Sequence, residues 1–109
     1  MTAEVKQVTD NFSVSGQLVS EDIPALAAHG IRSLICNRPD GEAADQPNVS
    51  EIEAAAQEAG ISLTFLPIVT STLNEQDVTD FLEALEPLPS PTHAYCRTGT
   101  RSITLWALG

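Results

Sequence analysis

Apolar and polar positions alternate in two ways along this chain, and each way predicts a different kind of element. Short apolar runs at 12–14, 31–36, 61–69 and 92–96 are typical of buried strands, because they are dense in apolar residues and end at glycine, proline or polar clusters. Between these runs, apolar residues recur three or four positions apart, which is the spacing of one helix face. The pattern therefore predicts strands and helices in alternation.

Three helices are predicted between the strands from their end signals. The first begins near Ser20 and ends at Gly30, because serine can accept from free N–H groups of a first turn and glycine tolerates the left-handed position after a helix. Asn48 and Asn74 fit the starts of the other two. Strands separated by such helices form right-handed crossover units. We therefore expect an α/β fold with three layers, α/β/α, a mainly parallel sheet and one domain over residues 1–109.

The charge of the chain excludes several kinds of partner. Its 109 residues include 15 acidic and five basic ones, for a formal net charge of −10. Nucleic acid binding needs a basic surface and an anionic membrane would repel this chain, so we expect neither partner. The N-terminal residues contain no apolar signal region and no run is long enough to span a membrane. A cytoplasmic location is the resulting expectation.

The few cations become informative once the predicted sheet is considered. In an open α/β sheet, ligands bind beyond the carboxyl ends of the strands. Three loops should meet there: "NRPDGE" at 37–42, "PIVTSTLN" at 67–74, and the start of "CRTGTRS" at 96–102. This topology predicts a shared edge for five residues with possible chemical roles: the cations Arg38, Arg97 and Arg101, the nucleophile candidate Cys96 and the carboxylate Asp40.

The segment from Cys96 to Ser102 has the composition of an anion-binding loop with a nucleophile. Where a strand turns directly into a helix, the backbone N–H groups of Thr98, Gly99 and Thr100 should be unpaired and lie at the positive, N-terminal end of that helix. Gly99 permits backbone conformations that other residues avoid. Such a loop stabilises negative charge on a Cys96 sulfur or on a bound anion. Ser102 or Thr98 could donate a hydrogen bond to that sulfur, although both also fit ordinary capping of a helix N-terminus.

The stretch "AYCRTGTRS" resembles the active loop of rhodanese-like sulfurtransferases and the phosphate loop of cysteine-dependent tyrosine and dual-specificity phosphatases. Upstream, "GQLVSEDIPALAAHGIRSLICNRPDGE" is similar to the phosphatase-like domain of bacterial beta-lactamase-hydrolase-like proteins. That resemblance covers nearly the whole chain. It implies a cysteine-phosphatase fold of the dual-specificity type with a loop of rhodanese length. It also implies an association with sulfur-oxidising enzymes of the metallohydrolase fold.

Loop length is the feature that separates the two chemistries. Four residues lie between Cys96 and Arg101, whereas the phosphatases that the loop resembles have five. A tighter loop suits one sulfane sulfur on Cys96 better than a phosphoryl group, whose three equatorial oxygens each need a donor. We therefore expect a transferase that moves sulfane sulfur through a Cys96 persulfide, with Arg101 and the loop amides binding a small anionic donor. A thiol or a sulfur-metabolism protein would accept the sulfur.

Two alternatives stay open at this point. The first is a phosphatase that hydrolyses phosphomonoesters through a Cys96 phosphocysteine. It needs a proton donor, for which Asp40 is the candidate because the 67–74 loop holds no carboxylate. The second is a module that binds anions without catalysis. Arg97 and Arg38 are candidate anion-binding residues in all three hypotheses.

Cys36 ends the strand predicted next to Cys96, which makes it a candidate redox partner, although a buried small apolar side chain is the simpler interpretation. No metal or organic cofactor is expected, because the chain has only two histidines and two cysteines for a zinc site. Only about eight residues follow Arg101, fewer than the resemblance implies. A C-terminal truncation and a naturally short chain both account for this.

Overall fold

The structure is a computed structural model, and it describes residues 5–108. In this part of the chain, five strands form one sheet in the order β1-β2-β5-β3-β4. Strand β1 is antiparallel to β2, and every other neighbouring pair is parallel. The strands are β1 (Val5–Thr9), β2 (Phe12–Ser15), β3 (Ser33–Cys36), β4 (Ser62–Phe65) and β5 (Thr92–Tyr95).

Helices cover both faces of the sheet. Side chains of α1 and α2 join the core on one face, and side chains of α3 and α4 join the core on the other. The predicted three-layer α/β/α fold with a mainly parallel sheet is therefore confirmed. Within residues 5–108 the α-helices are α1 (Ile23–Ala28), α2 (Val49–Ala59), α3 (Glu75–Leu85) and α4 (Thr100–Leu108), with short 3-10 turns at Ser20–Asp22 and Thr70–Thr72. None of the described helices combines the length and apolar character needed to cross a lipid bilayer.

The central strands explain where the site forms. Strands β3 and β5 are buried along their whole length and pair in parallel from Ser33↔Thr92 to Cys36↔Tyr95. Both therefore end at the same edge of the sheet. The backbone N–H of Asn37 donates to the carbonyl of Tyr95 at 2.8 Å, which extends this pairing one residue into the loops.

The structure differs from the predicted pattern in three elements. Strand β1 was not predicted, because its sequence VKQVT is largely exposed at the sheet edge and lacks an apolar run. Strand β4 ends at Phe65, just before the break predicted near Pro67, so residues 66–69 of the apolar run lie outside it. Helix α2 does begin after Asn48, but the side chain of Asn48 makes no capping hydrogen bond. The Asp40 carboxylate accepts from the Val49 N–H instead, at 2.8 Å.

Candidate active site

Cys96 lies immediately after β5, at the carboxyl edge where topology placed it. It is only 1% exposed, and its N–H donates to the carbonyl of Ser15 on β2 at 3.3 Å. Its sulfur accepts a hydrogen bond from the N–H of Gly99 at 3.1 Å. The loop therefore curls around the sulfur, and a backbone N–H supplies the contact for which the hydroxyls of Ser102 and Thr98 were candidates.

Two glycines make this close approach possible. Gly99 has φ +91°, in the left-handed region, and a Cβ there would lie 3.3 Å from the backbone of Ser15. On the facing strand, a Cβ on Gly16 would lie 2.9 Å from the carbonyl oxygen of Arg97. That carbonyl also accepts from the N–H of Gln17 at 3.3 Å. The end of β2 is therefore the back wall of the Cys96 loop.

The front of the loop offers unpaired donors. The backbone N–H groups of Arg97 and Thr98 have no hydrogen-bond partner among residues 5–108. Helix α4 begins immediately after, at Thr100, so its positive end also faces the loop. Backbone donors beside a helix N-terminus and a cysteine sulfur can hold an anion against that sulfur.

Arg101 points its guanidinium at the same place. Its two terminal nitrogens each donate to one carboxylate oxygen of Glu42 at 2.7 Å, and Nη1 also donates to the carbonyl of Ile68 at 2.9 Å. The hydrogen bonds that Arg101 donates to Glu42 raise the pKa of Arg101, and the neighbouring Cys96 adds to this effect. Arg101 therefore adjoins the nucleophile and carries a fork that fits two oxygens of an oxyanion.

Glu42 was missed by the sequence analysis, although it ends the loop at 37–42. The guanidinium of Arg38 donates to its Oε1 from Nε at 3.0 Å, so Glu42 bridges Arg38 and Arg101. Arg38 is 5% exposed, and its Nη1 donates to Gln17 at 3.1 Å. The position of Glu42 four residues after Arg38, in a loop predicted to reach the site, is the signal that could have found it.

The remaining loop hydroxyls have other partners. Ser102 is buried and donates to Oδ1 of Asn37 at 2.8 Å, so its hydroxyl anchors α4 to the loop after β3 and does not contact Cys96. The Thr98 hydroxyl donates to the Thr100 hydroxyl at 3.0 Å, and both residues are exposed. Neither hydroxyl is hydrogen-bonded to the sulfur in this arrangement.

Comparisons with known proteins identify the family and the fold of this chain. Residues 4–109 match the family described as "Beta-lactamase hydrolase-like protein, phosphatase-like domain". The chain belongs to this family. A beta-lactamase hydrolase-like protein of Agrobacterium fabrum is 35% identical over 103 residues, which are 94% of this chain and 24% of that relative. One from Xylella fastidiosa is 31% identical over 96% of this chain. The domain therefore spans about a quarter of the length of these relatives.

Solved structures share the fold. A protein of Neisseria meningitidis that is named a candidate phosphatase superposes with a TM-score of 0.87 at 34% identity, over 92% of this chain and 71% of that one. The core catalytic domain of a PP-IP phosphatase from S. cerevisiae superposes with a TM-score of 0.74 at 19% identity, over 93% of this chain and 60% of that one. At that identity the second likeness shows the fold alone. The predicted cysteine-phosphatase fold is confirmed.

Two predicted anion-binding or catalytic residues of this phosphatase-like domain lie at the rim of the site. Arg97 is exposed and lines a cleft of about 280 Å³ together with Arg101, Thr98 and Thr100. No ion pair is found for Arg97 within the described residues. Asp40 is exposed, and one of its oxygens is used by the Val49 N–H. Within the described residues, an anion that approaches Arg97 would therefore displace no ion pair, whereas Asp40 already holds the first turn of α2 through the Val49 N–H.

Cys36 lies beneath the loop of this domain, on the face of the sheet that also carries Tyr95. Burial raises the pKa of its thiol, and its sulfur donates to the carbonyl of Arg38 at 3.3 Å. The Tyr95 hydroxyl is buried without a hydrogen bond of normal geometry, and the Cys36 thiol interacts with it electrostatically. Burial also raises the pKa of Tyr95. Both side chains are therefore uncharged at neutral pH.

Proposed function

We propose that this domain is a cysteine-dependent phosphatase that hydrolyses phosphomonoesters through a phosphocysteine on Cys96. The observation that carries the proposal is the fork of Arg101. It holds two oxygens of a carboxylate at 2.7 Å while its guanidinium adjoins Cys96. A phosphoryl group presents two oxygens in a similar way. Membership of a phosphatase-like family and the likeness to candidate phosphatases support the same activity.

The residues divide the reaction into two displacements. The Cys96 thiolate attacks phosphorus, the P–O bond to the leaving group breaks, and its electron pair leaves with the oxygen. Arg101 and the N–H groups of Arg97 and Thr98 stabilise the charge on the equatorial oxygens. Water then attacks the phosphocysteine, the P–S bond breaks, and its electron pair returns to the sulfur. Thr100 and Ser102 help to hold the loop in place, and Arg38 holds the carboxylate of Glu42.

A proton is needed on the leaving oxygen, and Asp40 is the proposed donor. Its carboxylate is exposed at the same sheet edge, and one oxygen stays available because the Val49 N–H contacts only Oδ1. General acid catalysis of this kind contributes about 10²–10⁴-fold to the rate. This contribution of the general acid is largest for esters whose leaving group departs poorly unless it is protonated.

Sulfane sulfur transfer is the second candidate function, and loop length favours it. Four residues separate Cys96 from Arg101, and the Gly99 N–H donates to the Sγ atom of Cys96 at 3.1 Å. In this reaction the Cys96 thiolate attacks the outer sulfur of a thiosulfate-like donor, the S–S bond breaks, and sulfite leaves with the electron pair. A thiol would then take the sulfur from the persulfide. A sulfur-metabolism partner and a cytoplasmic location stay predictions.

Hydrolysis of an aryl phosphate by the purified domain tests the first proposal. We expect turnover that is abolished in Cys96→Ser and retained in the matched control Cys36→Ala, which removes the other thiol. Arg101→Lys should lower kcat by about 10²–10³, because lysine cannot donate two parallel hydrogen bonds to the phosphoryl group. Quenched single-turnover samples should show Cys96 heavier by one phosphoryl group.

Intact-mass measurement after incubation with thiosulfate tests the second. A gain of one sulfur atom on Cys96, without aryl phosphate turnover, would favour sulfur transfer over phosphate hydrolysis. If both assays are negative while inorganic phosphate still binds, the domain is an anion-binding module and both catalytic proposals fail.

A further inference from the structure

The carboxylate of Glu42 is bound to the guanidinium of Arg101, which is the strongest anion-binding group of the site. Both terminal nitrogens of Arg101 donate to Glu42, each at 2.7 Å. These are the same donors that the proposed mechanism assigns to the equatorial oxygens of a phosphoryl group. A guanidinium fork cannot serve a carboxylate and a phosphoryl group in this bidentate manner at the same time. Glu42 and the substrate therefore compete for Arg101.

The two arginines are held in place more firmly than the carboxylate. The side chain of Arg101 is 10% exposed and is also anchored by the Ile68 carbonyl. The side chain of Arg38 is 6% exposed and is anchored by Gln17. The Glu42 side chain is 30% exposed and follows Gly41, whose φ of +79° belongs to an exposed turn. Glu42 is therefore the member of the cluster that can move.

Arg38 gives the displaced carboxylate a second position. Its Nε donates to Oε1 of Glu42 at 3.0 Å, independently of the Arg101 contacts. If an oxyanion takes both terminal nitrogens of Arg101, Glu42 can keep this hydrogen bond. The carboxylate then stays paired with a buried cation instead of losing both partners at once.

We propose that Glu42 is an internal competitor for the substrate anion, which closes Arg101 until an oxyanion displaces it onto Arg38. The proposal rests on the proposed function only in taking the oxyanion to be a phosphoryl group. In this arrangement the apparent affinity for any oxyanion equals the intrinsic affinity multiplied by the fraction of molecules in which Arg101 is open. Glu42 therefore sets how strongly the loop binds anions in general.

The opposite role for Glu42 makes the opposite prediction. If the carboxylate only orients Arg101 for the substrate, its removal must weaken anion binding. If it competes, its removal must strengthen anion binding. The sign of the change therefore decides between the two roles, and no assumption about the catalytic step is needed.

Calorimetric titration with inorganic phosphate is the test, with wild type, Glu42→Gln and the matched control Asp45→Asn. Asp45 lies in the same exposed turn and also carries one negative charge, but no ion pair joins it to an arginine among residues 5–108. We expect Glu42→Gln to bind phosphate about tenfold more tightly than wild type, as for a mostly closed Arg101. Asp45→Asn should change the affinity by less than about twofold, because an exposed charge is screened.

Weaker phosphate binding by Glu42→Gln, or a change no larger than that of Asp45→Asn, would overturn the proposal. Unfolding curves of the three proteins should each show one cooperative transition, which excludes a misfolded variant even though Glu42→Gln loses its ion pairs to two arginines. Binding requires no turnover, so tighter binding without aryl phosphate hydrolysis would keep the competitor and reject the phosphatase. Hydrolysis of aryl phosphate by the domain, with an unchanged KM in Glu42→Gln, would instead support the phosphatase and reject the competitor.

Discussion

The side-chain oxygen of Asn37 accepts a hydrogen bond from the Ser102 hydroxyl at 2.8 Å, and both residues are fully buried. Asn37 follows β3, and Ser102 lies in the first turn of α4. The other end of the same amide donates to the carbonyl of Leu66 at 3.0 Å. One side chain therefore fixes the helix that carries Arg101 against two of the loops that surround the site.

Replacing Ser102 by alanine should destabilise the domain through this amide. The substitution leaves the buried Oδ1 of Asn37 without a donor, which costs about 1–3 kcal/mol of the free energy of unfolding. Urea unfolding measures this loss. The matched control is Thr104→Ala on the same helix, whose hydroxyl makes no hydrogen bond within the described residues. Equal losses in the two variants would show that the Asn37–Ser102 contact contributes little.

Gly99→Ala should lower activity far more than its effect on folding suggests. Alanine at φ +91° is strained and would also press on the backbone of Ser15 at 3.3 Å, which moves the N–H that contacts the Cys96 sulfur. We expect kcat/KM to fall by at least about tenfold, the effect of losing roughly 1.4 kcal/mol of transition-state stabilisation.

Gly30→Ala is the control for backbone strain. Gly30 has a similar φ of +89°, but a Cβ there would have no atom within 4 Å. Gly30→Ala should therefore lose about 1–2 kcal/mol of folding stability and Gly99→Ala at least as much, while Gly30→Ala keeps the wild-type kcat/KM. A similar loss of kcat/KM in both would mean that general destabilisation, rather than the shape of the loop, lowers the activity.

Asp40→Asn tests the proposed proton donor, because asparagine can still accept from the Val49 N–H through its Oδ1. If Asp40 donates the proton, hydrolysis of phenyl phosphate should fall by about 10²-fold or more, since phenolate is a poor leaving group. Hydrolysis of p-nitrophenyl phosphate should fall much less. Steady-state rates for the two esters decide the matter. Equal decreases would exclude Asp40 as the acid and leave it as a capping residue of α2.

Much of the fold could be predicted because local and long-range signals agree. Short apolar runs separated by capped helices allow few arrangements, and parallel strands must end at one edge of the sheet. That rule alone brought Arg38 next to the Cys96 loop, where Glu42 now joins Arg38 to Arg101. Gly99 could be recognised from its place in the tight turn after β5, since glycine adopts backbone conformations that other residues avoid.

The missed features depend on contacts that a sequence pattern does not encode. Strand β1 gains its place by pairing with β2 at the sheet edge, so its exposed side chains carry no periodic apolar signal. Glu42 looks like an ordinary surface carboxylate until the fold brings Arg101 to it from 59 positions away. For Ser102 the sequence suggested either a contact with Cys96 or a helix cap, because both are nearby in the chain, whereas its partner Asn37 is 65 positions distant.

Mild peroxide treatment should oxidise Cys96 without forming a disulfide to Cys36. Burial raises the pKa of the Cys36 thiol, so it stays protonated and attacks a sulfenic acid slowly. Peptide mass spectrometry should find sulfinic acid on Cys96 and a free thiol on Cys36. A Cys36–Cys96 disulfide that protects Cys96 from further oxidation would instead support the predicted redox partnership.

His93 should make the domain less stable as the pH falls from about 6.5 to 4. The ring is fully buried between two serines of β2, with Ser13 Oγ 2.7 Å from Nδ1 and Ser15 Oγ 2.8 Å from Nε2. The Ser15 hydroxyl donates to the carbonyl of Gly16 at 2.9 Å, so it must accept from Nε2–H. Nδ1 then accepts from Ser13, and the neutral ring satisfies every partner.

Burial lowers the pKa of His93 from 6.5 to about 4. Above pH 6.5 the ring is neutral in both the folded and the unfolded chain, and its contribution to stability is complete. Between these values the unfolded chain takes up the proton first, so the free energy of unfolding falls with pH. The loss ends below pH 4 and amounts to roughly 3 kcal/mol.

Urea unfolding at pH 7 and pH 5 measures the slope in wild type, His93→Gln and the control His29→Gln. His93→Gln should reduce the slope, and the exposed His29 supplies the matched histidine replacement against which that reduction is compared. If His93→Gln does not fold, NMR titration of the wild-type His93 ring gives the same answer directly. A ring that titrates near pH 6.5 in the folded domain would contradict the prediction, because burial would then impose no cost on its charge.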